Sequence, residues 1–175
     1  MLAGLFAAHG VFFGRCKEPD KHNPRGYFEH PAIPGLRARD VPGWPALWWD
    51  ALEADGWDGE EPWGIKHATT RWRWFRQLKP TLIVMTKRPE ADVIASLRRT
   101  GWKLNPERVV RNYKRRLKRI KREADRPIVT VFTPALIQGD YSQVVPAFDA
   151  LGVAFDPAIA DAWIEPGIWN RRVTP

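Results

Sequence analysis

The chain has 175 residues, 44% of them apolar, with a formal net charge of +8. That length holds one domain with a sizeable core and leaves little room for a second, and the apolar share excludes a disordered chain. The single cysteine, Cys16, excludes a disulfide framework and a cysteine-built structural zinc site within one chain, and fits a cytoplasmic location.

No run approaches the roughly 18 apolar residues that a membrane span needs. Residues 1–13 are apolar, but lack the basic start and small-residue cleavage site of a signal peptide. The positive balance favours anionic partners: nucleotides, phosphates, sulfated sugars, nucleic acid or an anionic membrane surface. It does not choose among them.

In chain order, residues 1–13 read as a helix, because Leu2, Leu5, Phe6, His9 and Phe13 recur at helical spacing and Gly14 offers a stop. Residues 15–44 are rich in proline, glycine and charge, and read as a long ordered loop with short helical pieces. Residues 46–52 form a helix, followed by an acidic turn. Residues 63–66 are a short strand and 70–78 a further helix. The tryptophans crowd here, at Trp44, Trp48, Trp49, Trp57, Trp63, Trp72 and Trp74. An aromatic core is the first reading of that crowd, and an aromatic-lined acceptor pocket the second.

Residues 81–86, TLIVMT, are the clearest strand, a continuous apolar run of the kind buried in parallel sheets. Pro89 then opens a helix to about Arg99. A long helix over 105–124 starts with Asn105 as cap, Pro106 in the first turn and Glu107 against the helix dipole. Val109, Val110, Tyr113, Leu117 and Ile120 make its apolar stripe. Residues 128–132 are a second buried strand. Residues 141–151 are a helix that Gly152 ends, and the tail from 158 carries no clear pattern. Strands alternating with helices imply an α/β fold with a mainly parallel sheet covered on both faces.

The stretch with most chemistry is TLIVMTKRPEADVIASLRR. A buried strand delivers Lys87 and Arg88, Pro89 starts a helix, and Ser96 lies on it eight residues after Arg88. Ligands of open α/β sheets bind beyond the carboxyl ends of the strands. An arginine there offers a bidentate grip on phosphate, and the serine adds a hydroxyl.

This arrangement resembles the sulfotransferases that use 3′-phosphoadenosine 5′-phosphosulfate (PAPS). Residues 23–29, NPRGYFE, resemble a segment of the bacterial and phage members. Residues 63–70, WGIKHATT, resemble the family's second strand. Residues 128–156, IVTVFTPALIQGDYSQVVPAFDALGVAFD, resemble its late strand and the helix after it. The resemblance runs from about residue 1 to 155.

It implies a P-loop-type three-layer αβα domain over residues 1–175. PAPS would be the cofactor, held at its 3′-phosphate by Arg88 and Ser96. An unidentified hydroxyl acceptor would be the second substrate, and no metal would be needed. Lys66 would stabilise charge on the bridging oxygen, and His67 would take the acceptor proton. The family opens with a strand and a Ser-Gly-Thr loop that holds the phosphosulfate. Residues 1–5 look like the helix after such a loop. The first strand and the loop are therefore expected to be missing, through a late start or a shortened relative. Activity would then be lost or changed, and the open sheet edge would favour self-association.

Residues 108–122, RVVRNYKRRLKRIKR, hold nine basic residues. The apolar stripe docks one side and leaves the basic face outside, so the run reads first as a solvated face. The alternatives to an enzyme are a basic nucleic-acid-binding module using this helix and a noncatalytic partner-binding protein. Within the family reading, residues 113–116 could also hold phosphates of the cofactor.

Overall fold

The computed structural model describes residues 1–20, 23–32, 43–66, 72–99 and 105–164. The chain is a mixture of helix and strand with a two-stranded parallel sheet. It divides into two compact units, one built from Met1–Lys79 and Val153–Ile164, the other from Pro80–Gly152. None of the described helices is long and apolar enough to cross a membrane.

The first unit begins with α1 (Leu2–Ala8), which buries Leu2, Leu5 and Phe6. The expected helix over 1–13 stops here, and Gly14 is not its end. Gly10 adopts φ +88°, its N–H bonds Ala7 O at 3.0 Å, and the Val11 N–H bonds Phe6 O at 3.1 Å. This is the paired closure that a left-handed glycine makes possible at a helix end. Nothing stands near a Cβ built at Gly10, so only the backbone penalty counts. Gly10→Ala is expected to destabilise the protein by about 1 kcal/mol, read as a lower urea midpoint with unchanged slope.

The C-terminal α8 (Pro157–Trp163) packs on α1. The Trp163 indole N–H donates to Met1 O at 3.0 Å. His9 Nδ1 donates to Leu5 O at 2.8 Å, and its Nε2 accepts the Asp156 N–H at 3.2 Å. Asp156 also caps α8 by accepting from the Ala158 N–H at 2.8 Å.

The core of this unit is aromatic. α2 (Trp44–Ala54) extends beyond the expected 46–52, with Pro45 accommodated in its first turn. Trp44, Trp48 and Leu52, one turn apart, bury one face against Leu78. Phe12, Trp49, Trp57, Trp63, Ile65 and Phe75 pack around them. The first reading of the tryptophan crowd is therefore the right one for Trp44 and Trp48. Residues 63–66 do not form a strand. Trp63 makes a single parallel bridge to Phe12, and Pro62 has no N–H with which to lengthen a ladder. Of the helix expected over 70–78, the described residues form α3 (Trp72–Phe75) followed by a 3₁₀ turn at Arg76–Leu78, and residues 70 and 71 lie outside the described residues. Lys79 precedes Pro80, which disfavours helical backbone there, and it sits at φ +49°.

The second unit contains β1 (Ile83–Lys87), α4 (Glu90–Arg99), α5 (Pro106–Glu123) and β2 (Ile128–Phe132). The two strands pair in parallel over five residues, from Ile83 opposite Ile128 to Lys87 opposite Phe132. Two helices thus join one strand to its parallel neighbour, as such a connection requires. Asn105 caps α5 by accepting the Arg108 N–H at 2.7 Å. Val110 and Ile120 of the stripe are buried, with Val109, Tyr113 and Leu117 partly so. After β2 come α6 (Thr133–Ile137) and α7 (Val145–Leu151). α7 starts four residues later than the expected 141–151, because Pro146 is tolerated only in a first turn. Residues 33–42 of the expected loop and 165–175 of the tail lie outside the described residues.

Candidate functional site

The carboxyl end of β1 presents the basic pair. Lys87 and Arg88 are both exposed, and Pro89 leads directly into α4. Among the described residues, nothing forms a hydrogen bond or ion pair with the exposed Arg88 side chain. Ser96 is half-buried on the face of α4 that carries Val93 and Leu97. No hydrogen bond joins it to Arg88.

Two ion pairs fix the neighbouring helix. Glu90 bonds the Lys114 ammonium, and Arg98 Nη2 meets Glu107 Oε1 at 2.8 Å. The start of α4 therefore lies beside the middle of α5, and its end beside the start of α5. The two helices run antiparallel, and Lys114 comes to the end of the unit that carries Lys87 and Arg88. Glu90 and Asp92 occupy the first turn of α4, so an anion at this end must be held by side-chain cations and not by the helix terminus.

Lys66 belongs to the first unit and is already engaged. Its ammonium donates to Tyr27 O at 2.6 Å and to Glu29 Oε1 at 3.0 Å, with 37% of the side chain exposed. It braces the 23–29 turn. Within that turn the Tyr27 hydroxyl donates to Asp20 at 2.9 Å, and Lys17 lies 4.1 Å above the Tyr27 ring. The hydrogen bond to Asp20 pushes the Tyr27 hydroxyl above its ordinary pKa. Phe28 between these groups holds φ +53°, a conformation that bulky residues avoid. Its ring is fixed edge-on against Phe13 and Trp163, at 5.9 and 5.8 Å. The turn thus carries backbone strain that its neighbours hold in place. His67 lies outside the described residues.

The sequence reading missed a polar cluster in the same unit. His30 is 5% exposed and packs edge-on against Trp48 at 5.1 Å. The Ala32 N–H donates to His30 Nδ1 at 3.1 Å, so the ring proton sits on Nε2, which meets Asp55 Oδ2 at 2.8 Å. The same carboxylate oxygen accepts the Arg15 N–H. Burial opposes ionisation of Asp55, but these donors outweigh it and hold its pKa below the ordinary value.

Gly14 sits at φ +67°, and a Cβ there would stand 2.8 Å from both Asp55 Oδ2 and His30 Cδ2. Glycine is what lets the backbone pass this close. Both ring nitrogens of His30 are satisfied internally, so the pair is a structural clamp and not a general base. Burial first, then the charges of Asp55 and Glu29, push the Cys16 thiol up to about 11, which leaves it protonated and unreactive at neutral pH. No group of described residues could hold a metal ion. Only a histidine near one aspartate, 25 residues on, could have suggested the clamp, and no local pattern marks that pairing.

No family model, curated protein or solved structure matches the chain.

Proposed function

We propose that this chain is a sulfotransferase-like protein that binds PAPS, with a P-loop-type three-layer architecture around its parallel strands. The observation that carries the reading is Arg88. It stands just beyond a parallel strand, exposed and without a partner among the described residues, at the start of the helix that bears Ser96. That is where open α/β sheets bind ligands, and an exposed guanidinium there suits a phosphate.

In this reading Arg88 and Ser96 hold the 3′-phosphate. Where transfer is retained, the acceptor oxygen would attack sulfur in line as the bond from sulfur to the bridging oxygen breaks, and His67 would take the acceptor proton. The protein supplies mainly position and charge, by analogy with phosphoryl transfer. Lys66 is the weaker part of the assignment, because Glu29 already draws on the charge it would offer a bridging oxygen.

Calorimetric titration with 3′-phosphoadenosine 5′-phosphate tests the reading on the binding step alone. The chain is expected to bind, and Arg88→Ala to weaken binding at least tenfold, roughly the worth of a hydrogen bond to a charged group. Arg88 is exposed and has no partner among the described residues, so the variant is expected to fold. A folded chain that does not bind, or an Arg88→Ala protein that binds equally well, would overturn the proposal.

A further inference from the structure

Helix α5 carries a second basic feature, distinct from the strand end. Arg108, Arg111, Arg115, Lys118 and Arg122 follow one another at intervals of three and four residues, and all five are exposed. At about 100° per residue, this row lies on the side of the helix opposite Val110, Tyr113, Leu117 and Ile120. It extends over about 21 Å.

No acidic residue interrupts the row. The two glutamates of α5 stand at its ends, with Glu107 paired to Arg98 and Glu123 to Arg119, the latter at 2.8 Å. Within the row only Arg122 has an ion pair among the described residues, at 3.5 Å to Glu123. Like charges three and four residues apart weaken a helix. Four such neighbours in succession are therefore a cost that no described partner offsets.

We infer that this row binds the phosphate backbone of a nucleic acid without reading its sequence. A duplex presents one negative charge per ~1.7 Å of axis, so a 21 Å stretch carries about twelve charges against the five cations of the row. Four of the five residues are arginine, whose planar fork matches phosphate. The row holds no aromatic residue to stack on a base, and backbone contacts alone carry no sequence information. An anionic membrane is the poorer partner. The apolar face that would enter it is occupied within the unit, with Val110 and Ile120 buried. The inference rests on α5 alone and is independent of the PAPS reading.

The test is fluorescence anisotropy of a labelled mixed-sequence 20-base-pair duplex with the full chain at 50–200 mM salt. Five neutralised phosphates predict a slope of log affinity on log salt near −4.5, or roughly a 500-fold loss across that range. The triple variant R111Q/R115Q/K118Q alters exposed side chains only, and circular dichroism will report an intact fold. It is expected to reduce the slope by about 2.7. Three results would each overturn the assignment. One is an unchanged slope in the triple variant. Another is no binding at 50 mM salt. The third is a sulfated glycan or phosphatidylserine vesicles binding at least as tightly as the duplex at equal salt.

Discussion

Asp55→Ala is expected to destabilise the protein by about 2–4 kcal/mol, since the buried His30 ring loses its acceptor at about 1–3 kcal/mol and the exposed Arg15 N–H loses an ordinary hydrogen bond worth about 0.5–1.5 kcal/mol. His30 Nε2 is left buried without a partner, and the Arg15 N–H loses the same oxygen. A single domain has only about 5–15 kcal/mol of stability in all, so the shift in the urea midpoint will be large. The substitution also changes how stability depends on pH. The folded pKa of Asp55 is depressed from an unfolded value of about 3.9. The stabilisation it gives is fully present above that value, and is lost as pH falls through the lower folded one. The wild-type chain will therefore lose stability below about pH 4, and the variant will lose less. Asp58, Glu123 and Asp140 are also depressed, so the acid limb will become shallower without vanishing. Asp55→Asn keeps an acceptor oxygen but no charge, and should fall between the two in stability, with the shallow limb of the alanine variant. If Asp55→Ala matched the wild type in midpoint and in acid limb, the clamp would carry no weight.

The parts of the fold legible in the sequence are those written in adjacent residues. Asn105, Pro106 and Glu107 encode a helix start by capping chemistry, and α5 begins where they place it. The apolar run over 128–132 is a strand with those bounds, and the run over 81–86 gives one shifted by one or two residues. Their parallel pairing follows from the helices between them.

Sequence and structure part where a single residue outweighs a pattern. The apolar spacing of 1–13 continues past Ala8, yet Gly10 turns the chain first. Pro146 likewise delays α7 against a run whose pattern is helical from 141.

Long-range pairings were not legible at all. His30 meets Asp55 across 25 residues, Lys66 meets Glu29 across 37, and Trp163 meets Met1 across 162. Nothing in the local spacing of these residues announces them. Lys66 shows what this does to a site assignment: the residue type and position suit charge stabilisation, while the structure spends its charge on a neighbouring turn. Arg88 is the opposite case, since its exposure comes from standing between a strand and a helix, which the sequence does announce.

Trp48→Ala should be the most damaging single substitution in the first unit. The side chain is fully buried between Trp44, Leu52 and Leu78. Its ring lies 5.9 Å from that of Trp44, 6.1 Å from Trp63 and 5.1 Å from His30. Truncating a buried aromatic to alanine costs about 3–5 kcal/mol, because the cavity does not close completely. Trp48→Phe separates packing from polarity. The indole N–H has no acceptor among the described residues, which costs about 1–3 kcal/mol. Phenylalanine removes that donor and keeps a ring, so its net loss should stay below about 1.5 kcal/mol. His30 connects this core to the clamp, with its ring against Trp48 and one nitrogen on Asp55. The two largest effects should therefore be coupled. In a double-mutant cycle, Trp48→Ala and Asp55→Ala together should cost less than the sum of the two, since either change alone frees His30. Additivity within about 0.5 kcal/mol, the behaviour of independent sites, would mean that the ring and the carboxylate hold His30 separately, and that the aromatic core and the clamp are two devices and not one.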